Sequence, residues 1–262
     1  MIDVKVANVL FLDGKYTEAA KMYSLGASDG DAECAFNYGY CLFRGIGVEE
    51  NKALAKSYFV FSSEIIPEAS YNLAVMYLYG NGVKQDYIKA ARFMNNAAIK
   101  GVIEAQLYMA VAHTLGDLFE PDIVFISRIP YHTPERRSEE LSLLGEISPE
   151  DLEQEENRRM RAVRFDPVRA FEWFKRAAQH SPDYVEELSV QSKYLYARCF
   201  LDGLGTDFNR DRANNLMLLA ALDGSQDALD YIKTDAPYVL KGLENTELLN
   251  QIRTAEGLPK PE

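Results

Sequence analysis

Residues 67–101, PEASYNLAVMYLYGNGVKQDYIKAARFMNNAAIKG, read as two amphipathic helices joined by a glycine turn, and most of the chain repeats them. In the first half, Ala69, Leu73, Ala74 and Tyr77 recur at the spacing that puts small or apolar side chains on one helical face. Gly80-Asn81-Gly82 ends that helix, because glycine reaches positive φ without steric cost. Lys89-Ala90 opens the second helix, whose Ala90, Phe93, Met94 and Ala97 form the facing stripe. One such hairpin cannot cover both stripes, so it needs neighbours of its own kind.

Those neighbours are present. Residues 31–59, DAECAFNYGYCLFRGIGVEENKALAKSYF, align directly, with Gly45 and Asn37 each 35 residues before Gly80 and Asn72. Residues 4–30 read as a shortened copy, in which Val6, Val9 and Leu10 mark a brief helix and Ala19, Ala20 and Tyr23 point inward from a second. A third first-helix, VIEAQLYMAVAHTLGD, has its partner far downstream as DPVRAFEWFKRAA. Gly80 to Ala90 is 10 residues and Gly116 to Ala170 is 54, so about 44 residues are inserted there. A fourth copy follows at 192–224, and Gln226 to Ala255 starts as a fifth and drifts, as a terminal repeat facing water should. The organisation expected is therefore a shortened repeat at 1–30, repeats at 31–65 and 66–101, and an interrupted repeat at 102–180. Its insertion lies at about 117–165, and a repeat at 181–224 and capping helices with a tail at 225–262 complete the chain. The fold class is all-α, an α/α solenoid of about five helix-turn-helix repeats with a mostly helical insertion in the third.

These motifs resemble the Sel-one-like repeat, a branch of the tetratricopeptide-repeat superfamily with the pattern A-x3-L-G-x2-Y-x2-G-x-G-V and then D-x2-K-A-x2-W-x2-K-A-A-x2-G. Here it is carried by Ala69, Leu73, Ala74, Tyr77, Gly80, Gly82, Val83, Asp86, Lys89, Ala90, Phe93, Ala97, Ala98 and Gly101, and again by Ala170, Trp173, Lys175, Ala177 and Ala178. Ala74 replaces the usual glycine, and the turn after Gly116 is lost to the insertion. The resemblance implies a right-handed superhelix whose first helices line a concave face.

Composition narrows the partner. A hydrophobic content of 47% with 26% charged residues suits a folded globular chain. The net charge of −12 repels a phosphate backbone and attracts a basic protein surface, so the partner expected is a protein with a basic surface and not nucleic acid. No apolar run approaches the roughly 18 residues of a membrane span, and the start MIDVKVANVLFLDGK does not read as a signal peptide, so a cytoplasmic location is expected. Cys34 and Cys41, seven residues apart on one helix, stand roughly 10 Å apart by helical rise, beyond disulfide reach. They read as reduced packing residues, as does Cys199.

No chemistry is legible. The G-x-G pairs at Gly45, Gly80 and Gly203 lack the preceding strand and third glycine of a dinucleotide site. His113, His132 and His180 are scattered without metal-ligand spacing, and His113 falls where Tyr77 packs in the hairpin of residues 67–101. Adjacent acids such as Glu139-Glu140 and Glu155-Glu156 point about 100° apart on a helix, so they do not converge on a substrate. No cofactor, metal or catalytic residue is expected.

Superposing the repeats places candidate partner-binding residues on the first helices: Phe36, Tyr71, Leu107 and Tyr194 at one position, Tyr40, Val75, Val111 and Arg198 four residues on, and Arg44 and Tyr79 four further. An aromatic stripe with arginine beside it suits a protein-binding groove, and the same spacing also suits core. The insertion offers a second surface. Thr133-Pro134-Glu135 and Ser148-Pro149-Glu150-Asp151 read as helix starts, and Asp151 to Glu156 precede Arg158, Arg159, Arg161 and Arg164 in the order the helix dipole favours. The function expected is a non-enzymatic scaffold or adaptor holding a protein or peptide on the concave face. The alternatives are a cytoplasmic bacterial immunity protein neutralising a secreted toxin, as the family resemblance allows, and a hydrolase with its site under the insertion. Replacing Phe119 to Arg164 by a short linker is expected to leave a folded, helical array, because solenoid contacts run between neighbours; insoluble product in place of a helical far-UV circular dichroism spectrum would contradict this.

Overall fold

The computed structural model describes residues 3–118, 162–180, 186–244 and 246–258, and every regular element among them is a helix. The chain is an all-α repeat solenoid that divides into two compact units, Met1–Ala105 and Gln106–Glu262. The first contains α1 (Val4–Leu12), α2 (Tyr16–Ser28), α3 (Ala32–Arg44), α4 (Lys52–Ser62), α5 (Pro67–Tyr79) and α6 (Tyr87–Ile99), each packed on the next. The division falls within α7 (Ile103–Leu115). The second unit continues with α8 (Pro167–Ala178), α9 (Glu186–Asp202), α10 (Arg210–Leu222), α11 (Gln226–Asp235), a 3-10 helix (Pro237–Glu244) and α12 (Thr246–Glu256). The helix starts expected at Thr133 and Ser148, the acidic run Asp151 to Glu156, and His132 lie outside the described residues.

Four of the hairpins are closed by the same small set of bonds. Helix α5 stops at Gly80, where φ is 70°, and the Asn81 amide donates to the Met76 carbonyl at 2.9 Å. Returning, the Asp86 amide donates to the Tyr77 carbonyl at 3.0 Å, and the Asp86 side chain accepts from the Lys89 amide at 3.0 Å to cap α6. These backbone bonds hold the Asp86 carboxyl below the usual carboxylate range. The pattern recurs with Asn51 donating to Leu42 at 2.8 Å and Asn209 to Phe200 at 2.9 Å. The interrupted repeat keeps it too: Asp166 donates to His113 at 2.9 Å and caps α8 through the Arg169 amide at 3.0 Å. Six residues separate Gly80 from Asp86, and fifty separate Gly116 from Asp166. The insertion thus leaves and re-enters through an intact hairpin closure.

The core is made of small side chains that let helices approach and large ones that fill between. In the first unit, one cluster joins Ala7, Ala19, Ala20, Tyr23, Cys34 and Cys41, and a second joins Leu42, Ala55, Phe59, Ala69, Leu73 and Met76. Tyr38 and Val48 pack against both. Fully burying a side chain such as Leu73 or Phe59 contributes about 1.5–3 kcal/mol. The first helix buries little of its apolar surface. Ala7 is its buried residue, packed in the cluster with Cys34 and Cys41, while Val6 and Val9 stay 49% and 56% exposed.

The second unit ends in ion pairs. Asp223, after α10, accepts from Lys193 of α9 at 2.6 Å and from Arg253 of α12 at 2.5 Å, all with side chains nearly buried. Glu256 of α12 takes both prongs of Arg212 of α10, Nε and Nη2 each at 2.7 Å, and accepts from the Tyr196 hydroxyl at 3.2 Å. Helix α9 starts at Glu186, six residues before the stretch that the repeat pattern marks, which gives Leu188, Ser189 and Val190 buried places.

The two glycines of each turn do different work. A Cβ on Gly80 meets nothing closer than 3.5 Å, so only its left-handed φ favours glycine, at about 1–2 kcal/mol. A Cβ on Gly82 would overlap the Lys52 Cβ at the start of α4, just as one on Gly47 would overlap the Tyr16 carbonyl and one on Gly205 the Pro167 carbonyl. The second glycine is where one repeat sits on the second helix of the repeat before it. Gly82→Ala is therefore expected to lower the urea midpoint more than Gly80→Ala; equal losses would refute the stacking role.

Candidate protein-binding face

Residues four apart on a helix share a face, and the first helices of the first unit carry two such ladders. On α3 they are Phe36, Tyr40 and Arg44; on α5 they are Tyr71, Val75 and Tyr79. Tyr40 and Tyr79 are each 36% exposed, Arg44 is exposed, and Tyr71 and Val75 are half-buried. Burial first, and the Glu104 carboxylate second, push the Tyr71 phenol up to about 12, so it remains a neutral hydrogen-bonding group at physiological pH. Phe36 belongs elsewhere: its ring lies 6.0 Å from that of Phe59 and packs on the cluster around Leu73.

In the second unit the sequence assignment needs correction. Leu107 and Val111 are 0% and 1% exposed and line no surface. Helix α7 is buried on nearly every side from Ala105 to His113, and a helix that is apolar all round gives no phase from which to read an outward face. Tyr194 and Arg198 are half-buried on α9, where Arg198 donates to the Tyr194 oxygen at 3.2 Å and to Asp202 at 3.2 Å.

A further feature of the first unit leaves no periodic signature in the sequence. The rings of Tyr77 and Phe93 stack with centroids 5.7 Å apart and planes 4° from parallel. Lys89 lies 5.2 Å and Lys56 6.0 Å from the Tyr77 centroid, and with Arg92 and Asn96 the rings line a cleft of about 330 Å³. Lys89 pairs with Asp86 at 3.1 Å, and among the described residues no acid pairs with Lys56 or Arg92. Periodicity cannot flag Lys56 and Arg92, since both are ordinary charged positions of a second helix. Aligning the repeats sets Arg92 against Lys21, Ser57, Glu172 and Asn215, so a cation at this position is shared only with the shortened first repeat.

The Sel1 repeat pattern matches this chain at residues 32–63, 67–102 and 190–225, the hairpins α3–α4, α5–α6 and α9–α10, and at 162–182, which holds α8. The chain belongs to the Sel1-like repeat family. A Sel1 repeat protein from Oxalobacter formigenes has a similar structure, with 20% identity and a TM-score of 0.60, covering 83% of this chain and 49% of that one. A protective antigen of uropathogenic Escherichia coli strains displaying an SLR fold matches at 19% identity and a TM-score of 0.43, covering 98% of this chain and 53% of the other. The chain thus spans about half the length of these solved structures. No curated protein matches it. Sel1 repeats are generally protein-interaction scaffolds.

The groups with chemical potential in these Sel1 repeats are used for packing. Burial pushes the Cys34 thiol up to about 12 and the Cys41 thiol up to about 11, which leaves neither a thiolate at neutral pH. His113 is buried with Nδ1 3.0 Å from the Arg164 carbonyl, so it packs where Tyr77 does. His180 directly follows α8, with Nε2 2.9 Å from Gln106 Oε1, and its carbonyl accepts from Ser189 Oγ at 2.9 Å. Among the described residues no group of three or more His, Cys, Asp or Glu side chains is placed to hold a metal, and no helix is long and apolar enough to cross a membrane.

Burial lowers the His180 pKa below the ordinary imidazole value. The unfolded chain therefore takes up a proton at this site near pH ~6.5, before the folded chain does. Its contribution is complete above about 6.5 and is lost as pH falls from there to the lower folded value. Thermal midpoints measured from pH 7.5 to 5 should drop more steeply for the parent than for His180→Gln; parallel curves would show that His180 titrates as freely folded as unfolded.

Proposed function

We propose that this chain is a non-enzymatic scaffold or adaptor that holds a protein or peptide on the first helices of its repeats. The observation that carries the reading is the pair of ladders on α3 and α5, which offer Tyr40, Arg44, Tyr71, Val75 and Tyr79 at matching positions of consecutive repeats. Tyrosine and arginine are the side chains that concentrate binding energy at interfaces, since each combines a large apolar surface with a polar tip. Tyr194 and Arg198 are the corresponding pair in the second unit. The net charge of −12 supports a partner with a basic surface, and the three free, buried cysteines fit a cytoplasmic setting. That charge also supports a narrower reading, a cytoplasmic immunity protein that masks a basic secreted toxin.

The test is affinity capture from the native host, identification of the captured protein by mass spectrometry, and calorimetry with that protein. Truncating buried aromatic anchors commonly costs about 2 kcal/mol or more, roughly thirtyfold in affinity. Tyr40→Ala combined with Tyr79→Ala is expected to weaken binding by that order while the helical spectrum survives. Parent-like affinity in the double variant would move the binding surface away from the first helices.

A further inference from the structure

We infer that the cleft lined by the stacked Tyr77 and Phe93 rings with Lys89, Arg92 and Asn96 is a docking site for a carboxylate side chain carried on a helix of an acidic partner segment. This goes beyond the first-helix reading, because the cleft is built on the second helix of the hairpin and on the turn end of the first.

The fourth repeat shows what such a place accepts. Arg212 and Lys89 occupy one repeat position, each immediately before the first alanine of its second helix, Ala213 and Ala90. Phe200 and Tyr77 occupy another, each three residues before its turn glycine, Gly203 and Gly80. In the fourth repeat the cation lies over the ring, with the Arg212 guanidinium 4.5 Å from the Phe200 centroid. There it receives Glu256, a carboxylate presented by α12, through two bonds of 2.7 Å. A ring-stacked cation at this position is thus a receptor for a helix-borne acid, filled within the chain in that repeat.

In the hairpin of residues 67–101 the same arrangement stands open. Lys89 lies over Tyr77, and Asp86, its one described acid, already caps α6 through its own carboxylate. Two more cations join here, Lys56 and Arg92. Lys56, on the preceding second helix, stands where Phe171 of the interrupted repeat packs at 5.5 Å on Phe200, and Arg92 stands where α2, α4, α8 and α10 have Lys21, Ser57, Glu172 and Asn215. Three cations around a stacked aromatic pair, in a chain of net charge −12, form a local positive island. At about 0.15 M salt the screening length is about 8 Å, so the distant acids are screened while the cleft cations act at contact. A glutamate or aspartate entering the cleft gains charge-assisted hydrogen bonds from Arg92 and Lys89, and its neighbouring apolar atoms meet Phe93.

The experiment is fluorescence anisotropy on the full chain with a labelled, helix-forming peptide of alanine, leucine and glutamate, against a counterpart with every glutamate replaced by glutamine. The glutamate peptide is expected to bind at least about tenfold more tightly at about 0.15 M salt. Arg92→Glu should remove about tenfold or more of that affinity and Arg92→Lys should retain most of it, with circular dichroism unchanged in both. Equal binding of the two peptides, or parent-like binding by Arg92→Glu, overturns the inference. So does complete displacement by millimolar inorganic phosphate, which would mark a bare anion site. Tyr40→Ala with Tyr79→Ala should leave this peptide's affinity intact; a loss there would place the peptide on the first-helix face and overturn the cleft, independently of whether a captured partner uses that face.

Discussion

The structure depends on one backbone hydrogen bond, made four times: the amide of the residue capping each second helix donates to the carbonyl three residues before the turn glycine. In the order of the chain these are Asn51 to Leu42, Asp86 to Tyr77, Asp166 to His113 and Asn209 to Phe200. Two orphan groups, one at a helix C-terminus and one at a helix N-terminus, satisfy each other in this bond. It sets the angle at which the two helices of a hairpin meet, and with it which side chains face the next repeat. Because the bond is local to the two ends of the turn, the loop between those ends is nearly free to vary. Six residues span it in three repeats and fifty in the other, and loop closure costs grow only slowly with length.

Stacking of one hairpin on another adds a second constraint, and it is steric. Gly47, Gly82 and Gly205 sit where the chain of one repeat runs against the start of the preceding second helix, with no room for a Cβ. Alanines such as Ala55, Ala69, Ala90, Ala170 and Ala213 extend the same close approach along the helices. Where stacking stops, charge takes over. At the C-terminal end, Asp223 held by Lys193 and Arg253, and Glu256 held by Arg212, fasten α12 to the fourth repeat. Removing one member of a pair as buried as Lys193–Asp223 or Arg253–Asp223 leaves an uncompensated charge.

One repeat position has been put to different uses as the copies diverged. The residue before the first alanine of the second helix is Leu54, Lys89, Arg169 and Arg212 in turn. Arg169 turns back to Asp166 at 3.3 Å within its own helix start, Arg212 fastens the C-terminal helix, and Lys89 borders an open cleft. Divergence of this kind is inexpensive in a repeat fold, since the backbone closure does not use the side chain at that position. Surfaces can therefore change repeat by repeat while the stack persists.

The sequence by itself determined the all-α repeat solenoid, because helical periodicity, turn glycines and N-caps are local signals that survive in each copy. It determined too that His113 belongs to the core, since His113 holds the position of Tyr77. Tertiary structure alone decided which apolar positions face outward. Phe36, Leu107 and Val111 share the register of Tyr40, Tyr71 and Val75, yet Phe36 packs on Phe59 and the two on α7 are enclosed by neighbours that periodicity cannot see. The cleft of Tyr77, Lys89 and Arg92 with Lys56 above it was likewise beyond sequence, because Lys56 comes from the preceding hairpin and meets Tyr77 only once the two are stacked. Registers along one helix are written in the chain, whereas what covers a face, and which charges converge there, follows from the packing of helices far apart in sequence.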